Sequence, residues 1–245
     1  MTQGLLLALQ FLTRLPVRGP ETLSDDALSR SSGWFPLVGG VIGLVVAAMF
    51  ALGATVDPWL GALLGWIGWI WITGALHLDG LADLADALGA AHRDRARFLE
   101  VLRDPHVGTF GVIVLIIATG AKLVLLGVAA RNDVALWFAA PLIAAWARLG
   151  AVAWSLWVPP LARGMGERFA WRASVPLVAV WTIALLLASV FLAPALVLAP
   201  LALLAWALYL KRKLGGMTGD CLGAGIELCE IALLAGAVTT ATLTA

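Results

Sequence analysis

Charge is scarce in this sequence, and cysteine is scarcer. Lys, Arg, Asp and Glu make up 13% of the 245 residues, about half the roughly 25% of an ordinary soluble domain. Hydrophobic residues make up 62%, so there is too little polar side chain to coat a water-soluble globule of this size. The only two cysteines, Cys221 and Cys229, lie eight apart in one apolar run. That spacing fits neither a disulfide framework nor a zinc site, and they read as packing residues. The formal net charge is +1 and no basic run carries interleaved aromatics, so nothing points to nucleic acid. The opening stretch, MTQGLLLALQFLTRLPV, has no positive leader and no small-residue cleavage site, so it does not read as a secretory signal. Its apolar run is too short to span a bilayer, and an interfacial or re-entrant helix is expected there.

Long apolar runs fill most of the remainder. Segments at 33–56, 58–78, 107–130, 134–157, 175–193, 195–210 and 216–244 each approach the roughly 20 residues a transmembrane helix needs. The fold class expected is all-α: a polytopic helical membrane bundle of about seven transmembrane helices plus the N-terminal helix, forming a single catalytic domain over 1–245. The distribution of basic residues orients it. With the N-terminus cytoplasmic, inside loops hold 13 of the 16 Lys and Arg residues and outside loops only Arg131. Lys122 and Arg148 fall inside spans. This asymmetry is the positive-inside pattern, and it puts the C-terminus on the periplasmic side. No repeat or inverted half-to-half symmetry is visible, and the longest polar loop expected is 79–106.

That loop opens on acids. HLDGLADLADAL, residues 77–88, follows eighteen residues without a charge. Asp79, Asp83 and Asp86 are spaced i, i+4, i+7, one face of a helix. Three like charges on one face repel one another unless a cation sits among them. Carboxylates suit Mg²⁺, which is commonly held by one or two of them with water and substrate phosphate completing its shell. The plainer reading is a solvated helix end. A second acidic group, in GGMTGDCLGAGIELCE at 215–230, places Asp220 and Glu227 seven apart with Gly223 and Ala224 between. Carboxylates there are costly towards lipid and belong to the bundle interior. Both groups fall on the cytoplasmic side, so one acidic, metal-binding pocket is expected from the end of the second span and the start of the seventh.

Cations complete that expectation. Arg148 lies mid-span, where its planar fork suits phosphate or carboxylate, and Lys122 either snorkels or does similar work. His77 flanks the acids. In RDPHVGTFG, residues 103–111, Arg103, Asp104 and His106 precede a span whose entry glycines, Gly108 and Gly111, permit close backbone approach to a phosphate.

Five stretches in this order, FLTRLPV, HLDGLADLADAL, RDPHVGTFG, LARGMG and GGMTGDCLGAGIEL, closely resemble the cobalamin synthase family of adenosylcobinamide-GDP ribazoletransferases. The resemblance runs from about residue 10 to residue 230, and the HLDGLAD and TGD blocks are its most specific parts. It implies a Mg²⁺-dependent transfer in which α-ribazole, or its 5′-phosphate, takes the cobinamide phosphoryl group and GMP leaves. It further implies metal binding by Asp79, Asp83 and Asp86, with Asp79 or Asp83 serving catalysis, and with Asp220 and Glu227 completing the pocket. Arg14, Arg103, Arg148 and Arg163 are implied as phosphate contacts, and His77, Gly80, Asp104, His106, Thr218 and Gly219 as further substrate contacts. Ala87 departs from the family, which often has Gly there. The partners implied are the corrinoid and ribazole substrates and the bilayer, with a homo-oligomer or other cobalamin-assembly enzymes as further candidates. A bacterial inner membrane with a cytoplasm-facing site follows. The corrinoid is expected against aromatic walls such as Trp34 and Trp71.

Two other readings stand beside it. CDP-alcohol phosphotransferases perform analogous chemistry, but Leu76 stands where their motif needs its first Asp. An ion-coupled transporter needs ionisable residues through the membrane's depth, and here most carboxylates gather at one side.

Overall fold

A computed structural model describes residues 2–17, 27–91, 94–132, 134–161 and 174–244. Arg163, together with Arg18, His92, Arg93, Arg168 and Arg172, lies outside the described residues.

Among the described residues there are eleven α-helices and no strand, only an isolated bridge between Pro160 and Met217. They are α1 (Thr2–Leu12), α2 (Ala27–Ser31), α3 (Phe35–Ala54), α4 (Pro58–Thr73), α5 (Leu76–Ala91), α6 (Arg95–Val101), α7 (Thr109–Arg131), α8 (Leu136–Trp157), α9 (Val175–Leu192), α10 (Ala199–Lys213) and α11 (Gly219–Thr244). Six helical segments are long and apolar enough to cross a bilayer, and a seventh crossing is made if the bent pair α4 and α5 counts as one. The chain is an all-α polytopic membrane protein. Helix α1 is apolar but short; it buries Ala8 and Leu12 and stacks Phe11 on Phe35 of α3 at 5.9 Å.

The core is organised on α8. Its apolar window is 83% buried, against 17% for α9, which presents Val180, Leu187 and Phe191 outward. Small residues let the other helices reach α8. Gly39 and Gly43 of α3, one turn apart, sit so close to the α8 backbone at Ala144 and Ala140 that neither has room for a methyl group. Backbones pack at that range only over such small-residue ridges. Tryptophan N–H groups tie the outer helices in: Trp146 donates to Ser189 Oγ (3.1 Å), Trp154 to the Leu203 carbonyl (2.8 Å) and Trp206 to the Cys221 carbonyl (3.1 Å). A dry interior leaves such donors no alternative partner. Cys221 and Cys229 are free and buried, as packing residues are.

One expected segment differs. The second span was expected over 58–78, followed by a polar loop over 79–106. Helix α4 begins cleanly, with Asp57 Oδ1 accepting from the N–H groups of Trp59 (2.8 Å) and Leu60 (3.3 Å), but it stops at Thr73. Gly74 and Ala75 both have φ of 60°, the left-handed conformation that terminates helices. The chain then restarts as α5, at 84° to α4. The three acids of residues 79–86 therefore stand on one helix, as their spacing implied, and that helix takes up the first part of the loop expected over 79–106.

Candidate active site

The break at Gly74 and Ala75 creates the site. The N–H of Arg14, just beyond α1, donates to the Ile72 carbonyl at 2.8 Å. Any side chain at Gly74 would run into the Arg14 side chain. Glycine is thus required there twice, by its φ and by the arginine. Ala75 adopts the same φ with a Cβ, which costs about 1–2 kcal/mol; strain of this kind persists where surrounding structure enforces it. The result is a cavity of about 360 Å³ lined by Thr13, Arg14, Gly74, Leu76 and Asp79. A second cavity of about 120 Å³ shares Phe11, Leu76 and Asp79 and continues past Phe35, His77, Gly80, Gly219 and Asp220.

Helices α5 and α11 meet across glycine. A Cβ at Gly80 would lie 3.1 Å from the Asp220 backbone, and one at Gly223 would lie 3.5 Å from His77. This contact joins the two acidic groups that the sequence places 141 positions apart (220 − 79). The charges acting on Asp83 are, in falling order, Asp79, Asp220 and Asp86. Asp79 is exposed and Asp83 and Asp220 are partly buried. Among the described residues none of these three pairs with a Lys or Arg. Thr218 donates to Asp220 Oδ2 (3.2 Å) and accepts from the Cys221 N–H (3.4 Å), which caps the start of α11.

Asp86 is committed differently. Its carboxylate accepts from the N–H groups of Gly108 (2.7 Å) and Gly111 (2.9 Å), so it caps α7 from a neighbouring helix. Those N–H groups were expected to be open to a phosphate. They are taken by Asp86, and a Cβ on either glycine would collide with its carboxylate.

Glu227 also stands apart from the acidic pocket. It is buried and accepts from Lys122 Nζ at 2.6 Å; Lys122 donates as well to Glu230 at 2.5 Å and lies 4.4 Å above the Trp69 ring. Glu230 in turn pairs with Arg148. Two cations and two carboxylates balance inside the bundle, where an unpaired charge is expensive. Arg148 is fully buried and, besides Glu230, reaches the Ala144 carbonyl and His77 Nδ1 (3.3 Å). Expected as a phosphate contact, it instead fixes Glu230 and His77. His77 lines the smaller cavity, and its Nε2 is buried without a hydrogen-bond partner.

The remaining expected contacts lie outside these cavities. Arg103, Asp104 and His106 are exposed. Asp104 accepts from the His106 N–H (3.0 Å) and pairs with its Nδ1 (2.7 Å), which holds the Asp104 carboxyl below the usual carboxylate range. Trp71 faces outward at 59% exposure and Trp34 packs on Gly4; the aromatic walls of the cavities are Phe11 and Phe35. Sequence reasoning passed over these two and Thr13, although FLTR, residues 11–14, was visible as part of a family-like stretch.

The donor set bears on a metal. Among the described residues no group of three or more His, Cys, Asp or Glu side chains is placed to hold a metal ion. An open site is a different matter, because Mg²⁺ usually takes one or two carboxylates and fills its shell with water and phosphate. Asp79, Asp83 and Asp220 are oxygen donors without a Lys or Arg partner among the described residues, and one or two of them fit such a site.

Comparison with known proteins identifies the family of the chain. The sequence profile of cobalamin-5-phosphate synthases matches residues 4–238. An adenosylcobinamide-GDP ribazoletransferase of Laribacter hongkongensis is 54% identical over 243 residues, covering 98% of each chain. Enzymes of the same name are 52% identical in Thiobacillus denitrificans, over 96% of this chain and 95% of that one, and 48% identical in Novosphingobium aromaticivorans, over 97% of each. No solved structure matches.

Proposed function

The chain belongs to the cobalamin-5-phosphate synthase family, and on that premise we propose that it joins adenosylcobinamide-GDP to α-ribazole, or to α-ribazole 5′-phosphate, and releases GMP. The observation that carries this reading for the site is the approach of Asp79 and Asp83 to Asp220, none of them paired with a Lys or Arg among the described residues, where the cavity lined by Asp79 and Asp220 adjoins the one lined by Asp79 and Arg14. Like-charged carboxylates held together are ready for a cation and a diphosphate; a purely structural role leaves them repelling one another.

In this reading a ribose hydroxyl of the ribazole other than the 5′ one, which the 5′-phosphate form has esterified, attacks the phosphorus linked to cobinamide. A new P–O bond forms, the P–O bond to GMP breaks, and the hydroxyl proton passes to Asp79 or Asp83 as general base. One or two of Asp79, Asp83 and Asp220 would hold Mg²⁺, which when bound neutralises charge on the diphosphate. Arg14, fixed at the helix break, contacts a phosphate oxygen by a charge-assisted hydrogen bond. Phe11 and Phe35 exclude water from one side. The 13 to 1 distribution of basic residues supports a cytoplasm-facing site in a bacterial inner membrane.

The test supplies purified protein in nanodiscs with adenosylcobinamide-GDP and α-ribazole, with and without Mg²⁺. Metal-dependent release of GMP with stoichiometric corrinoid product is expected, and Asp83→Asn lowers it by roughly 100-fold or more. Absence of GMP release by folded wild type overturns the reaction. Wild-type activity in Asp83→Asn overturns the site.

A further inference from the structure

A third cavity lies away from the acids and has the opposite charge. It measures about 570 Å³ and is lined by Arg95, Arg212 and Lys213 over an apolar floor that includes Leu88, Phe98 and Leu161. Four separate parts of the chain build it: the end of α5, the start of α6, Leu161 after α8, and the end of α10. A bias of basic residues towards one side of the membrane explains why cations stand on this side. It does not explain why cations 117 positions apart (212 − 95) line one cavity.

Among the described residues none of Arg95, Arg212 and Lys213 pairs with a carboxylate. Asp94 is the acid in the lining, and its Oδ1 is occupied by the N–H groups of Ala96 (2.8 Å) and Arg97 (3.3 Å) at the start of α6. The C-terminus of α10 offers Arg212 and Lys213 only about half a negative charge. Arg95 is held in place by a bond from Nη2 to the Leu161 carbonyl at 3.1 Å, which uses one of its five donors. Lys213 ends an apolar helical segment long enough to cross a bilayer, so the cavity opens at the boundary between lipid and water.

We propose that this cavity is a binding site for a phosphate group, with Arg95, Arg212 and Lys213 as its ligands and the apolar floor receiving whatever the phosphate carries. A planar guanidinium with its fork of donors and an adjacent ammonium match phosphate oxygens. Two sources share that chemistry, the headgroup of an anionic phospholipid and a soluble phosphate. The inference does not rest on the proposed reaction, and its test reads no turnover.

Wild type, Arg212→Gln/Lys213→Gln, and a control with two charges removed outside the cavity, Arg97→Gln/Lys211→Gln, are placed in phosphatidylcholine nanodiscs without Mg²⁺. Broadening of the ³¹P line of inorganic phosphate reports the soluble source. Native mass spectrometry of each protein released from equimolar phosphatidylcholine and phosphatidylglycerol counts retained anionic lipid and reports the other source. The cavity variant is expected to bind at least one of these probes roughly tenfold more weakly than wild type, while the control does not. Arg95→Gln, which removes a cation from a different helix, must lower the same probe, and it serves alone if the double variant misfolds. A response that is equal in wild type and cavity variants, or lost equally in the control, overturns the proposal.

Discussion

Arg148 Nη2 stands 3.3 Å from His77 Nδ1 inside the bundle, and because arginine can only donate, Nδ1 must accept. The proton of the neutral ring therefore sits on Nε2, so this nitrogen is a donor and cannot act as a base. The expected consequence is a split between two substitutions. His77→Asn keeps an acceptor near the Arg148 fork and should melt close to wild type in detergent. His77→Leu leaves a buried donor unpaired, at a cost of about 1–3 kcal/mol, and should melt several degrees lower. Equal melting of the two variants would remove the hydrogen bond from the account.

The same arginine belongs to a charge-balanced group with Glu230, Lys122 and Glu227. Removing one partner strands a charge: Arg148→Met should destabilise by about 3–5 kcal/mol. Removing both, in Arg148→Met/Glu230→Met, should recover much of that loss, since an apolar pair in the same volume carries no desolvation cost. Thermal melts of the single and double variants decide it; additive losses would mean that the group is not energetically coupled.

How much of this was legible in the sequence follows from what each feature depends on. The spans were, because a run of apolar residues reports its own environment. The approach of Asp79 and Asp83 to Asp220 was legible as well, from the charge rule that put both acidic groups on one side. The partner of Glu227 was not. A carboxylate on a helix looks the same whether it meets a metal or an ammonium, and Lys122 lies 105 positions away. The capping of α7 by Asp86 was hidden similarly: its i+7 spacing from Asp79 is satisfied equally by a metal ligand and by a cap for Gly108 and Gly111. The bend after Thr73 had a local sign in Gly74, but Ala75 at positive φ is a conformation that no propensity anticipates.

Asp83 and Asp86, three residues apart on one helix, should consequently fail in different ways. Asp86→Ala removes a cap and should lower stability by about 1–2 kcal/mol, with activity falling in proportion to folded protein. Asp83→Asn removes a carboxylate that faces three others, so the protein should melt no lower than wild type while losing activity. Measuring melting midpoint and GMP release on the same preparations separates the roles. An Asp86→Ala protein that melts as wild type yet is inactive would return Asp86 to the metal ligands.

Gly74 offers the sharpest test of the helix break as a catalytic device. Gly74→Ala must hold a Cβ at φ 60°, costing about 1 kcal/mol relative to glycine, and it must also displace the Arg14 side chain that now fills that space. The strain alone predicts a modest drop in melting temperature and unchanged kinetics of the folded fraction. Displacement of Arg14 predicts more: a rise in KM for the diphosphate substrate, matched by Arg14→Gln and no greater in the double variant, because both changes remove the same contact. The double-variant cycle reads that non-additivity directly. Additive effects on KM would show that Gly74 and Arg14 act separately, and the break would then be a feature of the fold alone.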